Sequence, residues 1–294
     1  MSSISYPITL NPKSVAEFAA NGFVTITNML NDVELTTYTD AVDAEVATRT
    51  AGDTRSVNEK TTYEQSFVQC MRLWETDSVV RGLSCHPGLA GAAAQLLDVA
   101  SVRLWQDQAL YKEAGGRETT AHQDETFWPI GSAPLVSAWI PFDAITQNNG
   151  AMAYVPGSHQ VGNLRPVDIT HQSEPYDILS DPKLKQARPQ WVDVEPGDVV
   201  WHHGLTVHQA AANNSSQTRR VFTIVYVTSD ARRDKSWPCF PLDRERIEVG
   251  QMLRGPGMPT VWPQPEKLRS PPANIDGRTG PQQYFRAQSL RLKR

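Results

Sequence analysis

The chain has 294 residues, a formal net charge of −4 and 39 % hydrophobic residues. That is enough for one large domain or two small ones with a real core. The acidic balance speaks against a nucleic-acid partner, and the lack of any run of about 18 apolar residues speaks against a membrane span. Cys70, Cys85 and Cys239 are odd in number and form no CxxC pair, so neither a zinc site nor a disulfide framework is expected. We read them as reduced thiols of a cytoplasmic protein. The first residues, Met1 to Pro7, lack the basic region and long apolar core of a secretory signal.

In chain order, Ser14–Ala20 predicts a short amphipathic helix stopped at Asn21-Gly22. Phe23–Thr27 alternates and is rich in β-branched residues, which predicts a strand. Asn31-Asp32 caps a second helix from Val33 to about Thr48. Residues 50–66 are polar and read as a surface loop or lid. Val79 to Leu97 predicts more helix, interrupted at Pro87-Gly88. From residue 101 the pattern changes to short alternating segments separated by Gly, Pro and Asn: 102–112, 135–142, 151–155, 191–194, 199–201 and 220–227, with further strands at His122 and near His208. About eight short strands of this kind predict a sandwich or barrel. Residues 159–190 read as an insertion or lid. Residues 231–294 carry seven prolines between Pro256 and Pro281 and read as an extended tail wrapped on the domain. The whole chain is thus expected to be one unit: a mainly helical part (1–100), a β core (101–230) and a tail.

The chemistry concentrates at Thr120-Ala121-His122-Gln123-Asp124-Glu125. In an extended strand His122 and Asp124 would point to one side. An imidazole and a carboxylate facing one spot make two-thirds of a facial triad, which leaves iron positions open for cosubstrate and oxygen. The third ligand must come from elsewhere. His208 is the candidate, with His202 and His203 as competitors.

A set of motifs in order completes the reading: His122-x-Asp124, Gln147-Asn148-Asn149-Gly150, Val155-Pro156-Gly157-Ser158-His159, Pro196-Gly197-Asp198-Val199, His208, and Arg219 eleven residues later. With Gly22-Phe23-Val24 and Leu30 ahead of a helix, this resembles the phytanoyl-CoA dioxygenase family of iron(II)/2-oxoglutarate oxygenases over roughly residues 13–265. The resemblance implies a double-stranded β-helix, that is, a jelly-roll or cupin-like fold with flanking helices. It implies Fe(II) held by His122, Asp124 and His208, with 2-oxoglutarate and O2 as cosubstrates. His208 is favoured because its distance to Arg219 matches the family, and His202 and His203 then take supporting roles. Arg219 would pair with the far carboxylate of 2-oxoglutarate through its guanidinium fork, with Arg220 pointing the other way. Gln106 and Lys112 match a Gln-x5-Lys pattern at the cosubstrate pocket, and Trp139 an aromatic beside it. Phe127, Trp128 and Met152 are candidate substrate contacts. Halogenating relatives lack the carboxylate, so Asp124 disfavours that outcome.

The activity implied is oxidation, most simply hydroxylation, of a small molecule, with desaturation or rearrangement as variants of the same chemistry. A coenzyme A ester would want clustered cations at the pocket mouth. The clusters here, Arg232-Arg233 with Lys235, and Arg291, Lys293 and Arg294, fall in the tail. An apolar natural-product intermediate is therefore expected ahead of a fatty acyl-CoA. A homodimer is left open. Outside the oxygenases the rivals are a metal-dependent hydrolase with the same ligands and a jelly-roll protein that binds metal without redox chemistry.

Overall fold

The computed structural model describes residues 8–131, 133–185, 188–268 and 270–272. The basic end of the tail, Arg291, Lys293 and Arg294, and Pro281 lie outside the described residues.

Four helices lead. Helix α1 (Pro12–Asn21) starts with Asn11 accepting from the Lys13 N–H, and it ends at Gly22, whose φ of 81° is left-handed. A Cβ at Gly22 would fall 2.4 Å from both His159 Nδ1 and Thr206 Oγ1, so conformation and space both demand glycine. After β1 (Phe23–Ile26) comes α2 (Asp32–Thr50). Its capping box has Asn31 accepting from Val33 and Glu34 while Glu34 reaches back to the Asn31 N–H. Strand β2 (Val68–Met71) precedes α3 (Ser78–Ser84) and α4 (Pro87–Leu96). Pro87 breaks the predicted helix in two by opening the second piece at its first turn.

The β core follows with β3 (Val102–Tyr111), β4 (Thr119–His122), β5 (Leu135–Pro141), β6 (Met152–Tyr154), β7 (Gln190–Val192), β8 (Val199–His203), β9 (His208–Ala210) and β10 (Val221–Thr228). A large antiparallel sheet runs β1-β8-β5-β10-β3, with β2 and the late strand β11 (Thr260–Trp262) also pairing with β3. A small sheet runs β4-β9-β6-β7. Two antiparallel sheets of these short strands fit the sandwich or barrel expected from the strand pattern and make the jelly roll that the resemblance implied. The strands β2 and β11 were not foreseen.

Strand alternation sorts the large sheet's two faces. From β10, Phe222, Ile224 and Tyr226 join the core beneath the helices with Leu104, Ala138 and Trp201. Truncating Leu104, Ile224, Phe222 or Trp201 to alanine would cost about 2–5 kcal/mol. The alternate residues face the space between the sheets, where Val221 packs with Trp139, Val200, Met152 and Tyr154. Tail residues Leu242, Leu253 and Met258 pack with Trp105, Trp128 and Val225, and the short helix α5 (Phe240–Arg244) lies among them. The tail thus carries a short helix and, as far as Trp262, a strand, and is not simply extended. Among the described residues no helix is long and apolar enough to cross a membrane.

Candidate active site

His122 ends β4 and His208 opens β9, and the two are register partners across the small sheet. Their ring centroids are 4.4 Å apart. Asp124 is not in the strand. It opens a 3-10 turn, Asp124–Phe127, so the carboxylate is brought back to His122 by the turn and not by a shared strand face. This corrects the expected geometry while leaving the same two groups together. Asp124 Oδ1 is 3.5 Å from His122 Nε2 and 3.6 Å from His208 Nε2. One ligand atom from each of the three lies within 4.8 Å of the others, as a single ion requires.

The tautomers are set by the backbone. His122 Nδ1 faces the Thr120 carbonyl at 2.7 Å and His208 Nδ1 the Thr206 carbonyl at 2.9 Å. Each carbonyl demands an Nδ1–H, which leaves both Nε2 lone pairs turned to the centre. Burial, with His122 beside it, pushes His208 down to about 3, so its ring is neutral. Burial alone would raise the Asp124 pKa. His208, His122 and His202 outweigh it and hold Asp124 well below the usual carboxylate range. Asp124 Oδ2 is held by Ser137 Oγ at 3.2 Å and His202 Nε2 at 3.3 Å. His202 thus braces the carboxylate from β8, while His203 and His159 pair away from the centre, their rings 5.6 Å apart. Neither His203 nor His159 lines the cavity described next. Replacing His202 by alanine should weaken iron binding by ~10–100-fold, the usual effect of losing such a partner. His202→Gln should recover part of it, measured by equilibrium iron binding, because an amide can still donate to Oδ2.

The triad opens into a cavity between the sheets. Gln106, Trp139, Arg219 and Thr223 line it beside the triad, together with Gln108, Leu110, Phe127, Trp128, Met152 and Ile169. Arg219 is held just before β10 by a pair of backbone hydrogen bonds with Lys112. Its guanidinium is buried, with the Trp139 ring centre 5.6 Å away. Burial lowers its pKa to about 10, which still leaves it charged at neutral pH. Arg219 Nε, Thr223 Oγ1 and Gln106 Oε1 are buried with no hydrogen-bond partner among the described residues. Such orphaned groups need a ligand, and two donors beside a fixed positive charge suit a carboxylate. Arg220 points outward to Asp143 and Asp43.

Lys112 does not line this cavity. Its stem is buried under Gly150, and its Nζ donates to the Arg117 carbonyl. Lys112 continues the β3–β10 register opposite Arg219, so the pairing persists past Tyr111 and it is the side chain that bends away. Burial and the nearby Arg219 push Lys112 down to about 6. A lysine held below its ordinary 10.5 binds fewer protons folded than unfolded, so its contribution makes stability rise from pH 6 towards 10. Lys112→Met should flatten that rise in the melting temperature, and an unchanged slope would show that the ammonium is solvated.

The end of the segment read as a polar loop, 50–66, and the residues that follow it supply part of the wall. Tyr63, Phe67, Gln69 and Met71 all line the cavity. Tyr63 and Phe67 meet edge to face at 5.1 Å, and Gln69 Nε2 donates to Gln108 Oε1 at 2.6 Å. Two aromatics four apart in an otherwise polar run were the available signal. Phe127 sits 5.5 Å from the His122 ring. Trp128 lines the cavity and also packs in the core against Trp105.

The family model for phytanoyl-CoA dioxygenase matches residues 18–221. The chain belongs to the phytanoyl-CoA dioxygenase family. A phytanoyl-CoA dioxygenase domain-containing protein 1 homolog of Caenorhabditis elegans is 32 % identical over 117 residues, 37 % of this chain and 40 % of that protein. The matches to the first such relatives span less than half of their length. Among solved structures, the non-haem α-ketoglutarate-dependent carbocyclase SnoK from nogalamycin biosynthesis is 27 % identical with a TM-score of 0.69, covering 86 % of this chain and 96 % of that one. The epimerase SnoN, solved with Fe3+, α-ketoglutarate and nogalamycin RO, shares the fold at 22 % identity and a TM-score of 0.68, covering 85 % of this chain and 97 % of its own. The phytanoyl-CoA dioxygenase fold of this chain is therefore that of non-haem iron, 2-oxoglutarate-dependent oxygenases.

Proposed function

We propose that this protein is an Fe(II)/2-oxoglutarate-dependent oxygenase acting on an apolar small molecule that carries no coenzyme A. The observation that carries the reading is the pairing of two imidazoles and one carboxylate with a buried Arg219, its Nε unpaired, in the same cavity. Two nitrogens and one carboxylate suit Fe(II) and leave coordination positions open. Bound iron with 2-oxoglutarate and O2 supplies an oxidant strong enough for unactivated C–H bonds.

The chain's own residues bind, orient and exclude water. His122, His208 and Asp124 would hold the metal, with Thr120, Thr206, Ser137 and His202 fixing their orientation. Arg219 and Thr223 would receive the far carboxylate of 2-oxoglutarate, with Trp139 and Gln106 beside it. Tyr63, Phe67, Phe127, Trp128, Met152 and Ile169 form an apolar wall for the substrate and keep water from the centre. A non-redox metal protein or a hydrolase gives no reason for a buried arginine with an unpaired nitrogen behind the triad.

Against a coenzyme A ester stands the fate of the nearby cations. Arg219 is the single Lys or Arg among the cavity's described lining residues. Arg233 is spent on Asp243 and on the carbonyls of Ile247, Lys235 and Trp237. Arg232 binds the Gly250 carbonyl, and Lys235 lies over Trp237. Fatty acyl-CoA esters should therefore leave succinate release from 2-oxoglutarate at its basal rate, whereas uncharged multi-ring or prenylated compounds should stimulate it. Stimulation by acyl-CoA alone would overturn the substrate class and leave the oxygenase reading standing.

A further inference from the structure

The outer face of the small sheet is only partly covered. Ala121, Val155 and Val207 pack against Leu164, Val167 and Ile178 of the 159–190 insertion. Next to this patch, Gln209, Ala153 and Trp191 are register neighbours across β9, β6 and β7. Gln209 and Trp191 belong to an open groove bordered by the segment His171–Leu179, which Thr120 Oγ1 ties to β4 through His171 Nε2 at 3.2 Å.

Trp191 is 38 % exposed, whereas Trp74, Trp105, Trp128, Trp139 and Trp201 are buried. An indole left in a groove offers a flat apolar platform with a polar edge. Around it the side-chain heads of Gln147, Gln209, Asn214 and Glu174 make no hydrogen bond to the protein among the described residues. Amides both donate and accept, and a carboxylate accepts twice, which matches neighbouring hydroxyl groups. The charged residues of the groove are Arg117 against Glu118, Glu174 and Asp177, so it is net acidic and repels phosphate or carboxylate ligands. Thr119, Gln209 and Ala210 line both the groove and the cavity that holds the triad, so the two spaces share this stretch of wall.

We propose that this groove binds a neutral sugar unit, stacked on Trp191 and hydrogen-bonded by Gln147, Asn214 and Glu174, borne as a glycosyl group by the molecule whose apolar part reaches the triad. The last clause rests on the proposed function; the sugar site itself does not.

The test uses the full chain without metal, so no turnover enters it. Methyl glycosides of glucose, galactose and rhamnose are titrated by saturation-transfer NMR. At least one should bind, its ring C–H protons receiving the transfer. Trp191→Ala should weaken that binding by about 3–10-fold, the worth of one aromatic contact, Trp191→Phe should weaken it less, and Glu174→Ala should weaken it with the indole intact. Absence of transfer to all three glycosides, binding by Trp191→Ala and Glu174→Ala as tight as by the unaltered chain, or tighter binding of glucose 6-phosphate than of the neutral sugars would each overturn the proposal. Loss of oxygenase activity in a separate assay would leave this result unaffected.

Discussion

Replacing Arg219 by alanine should raise the 2-oxoglutarate concentration needed for half-maximal succinate formation by roughly 30-fold or more. Removing one partner of a buried, hydrogen-bonded charge pair costs about 2–5 kcal/mol, because the other charge is left unpaired. At 1.4 kcal/mol per decade, 2 kcal/mol is already ~30-fold. Arg219 has no carboxylate partner inside the protein within ion-pair distance among the described residues, and its Nε is orphaned, so its expected partner is the cosubstrate. Arg219→Lys should recover little, since an ammonium cannot reproduce the fork. Arg220→Ala is the control. Its guanidinium is tied to Asp143 and Asp43 on the outside, so the loss should appear in stability and not in the cosubstrate requirement. The opposite order of effects would show that the wrong arginine has been assigned.

Alanine at His122 or Asp124 should abolish both stoichiometric iron binding and succinate formation. The fall should exceed the ~10–100-fold expected for an outer partner such as His202. Asp124→Ala should be the harsher change for the protein as well as for the metal. It leaves His202 Nε2 and Ser137 Oγ facing a vacated position in a buried site, and unsatisfied buried donors cost about 1–3 kcal/mol each. Iron content after reconstitution and melting temperature, measured together, separate the two effects. Wild-type iron content in both variants would remove these residues from the metal site.

The long elements were legible because their periods are long enough to read. Helix α2 and strand β10 follow from the Asn31 cap and from a β-branched run, and both lie where the pattern put them. The β-sheet architecture followed from strand spacing alone. The candidate metal cluster was legible for a different reason: His-x-Asp marks two of its members, the family resemblance singled out His208 over His202 and His203, and the three come together although the strand ends at His122 and a turn supplies Asp124. What sequence did not show is contact made through folding back. Tyr63 and Phe67 sit in a polar stretch without a period, yet β2 carries that stretch against β3 and into the cavity wall. Thr223 is one residue among eight buried ones in β10, and nothing local marks it as the one whose hydroxyl is left unpaired. Lys112 shows the converse. Strand parity pointed it inward and its backbone stays in register opposite Arg219, but the long side chain bends under Gly150 and its Nζ donates to the Arg117 carbonyl.

The most direct test of the oxygenase reading needs no substrate. Under argon, Fe(II) and 2-oxoglutarate are added together to the purified full chain, and the visible spectrum is recorded. The expected result is a weak charge-transfer band that appears only with both components, saturates at one iron per chain, is absent in Asp124→Ala and requires far more 2-oxoglutarate in Arg219→Ala. Iron bound at one per chain with no band at any 2-oxoglutarate concentration would contradict it, and would leave a metal site that does not take this cosubstrate.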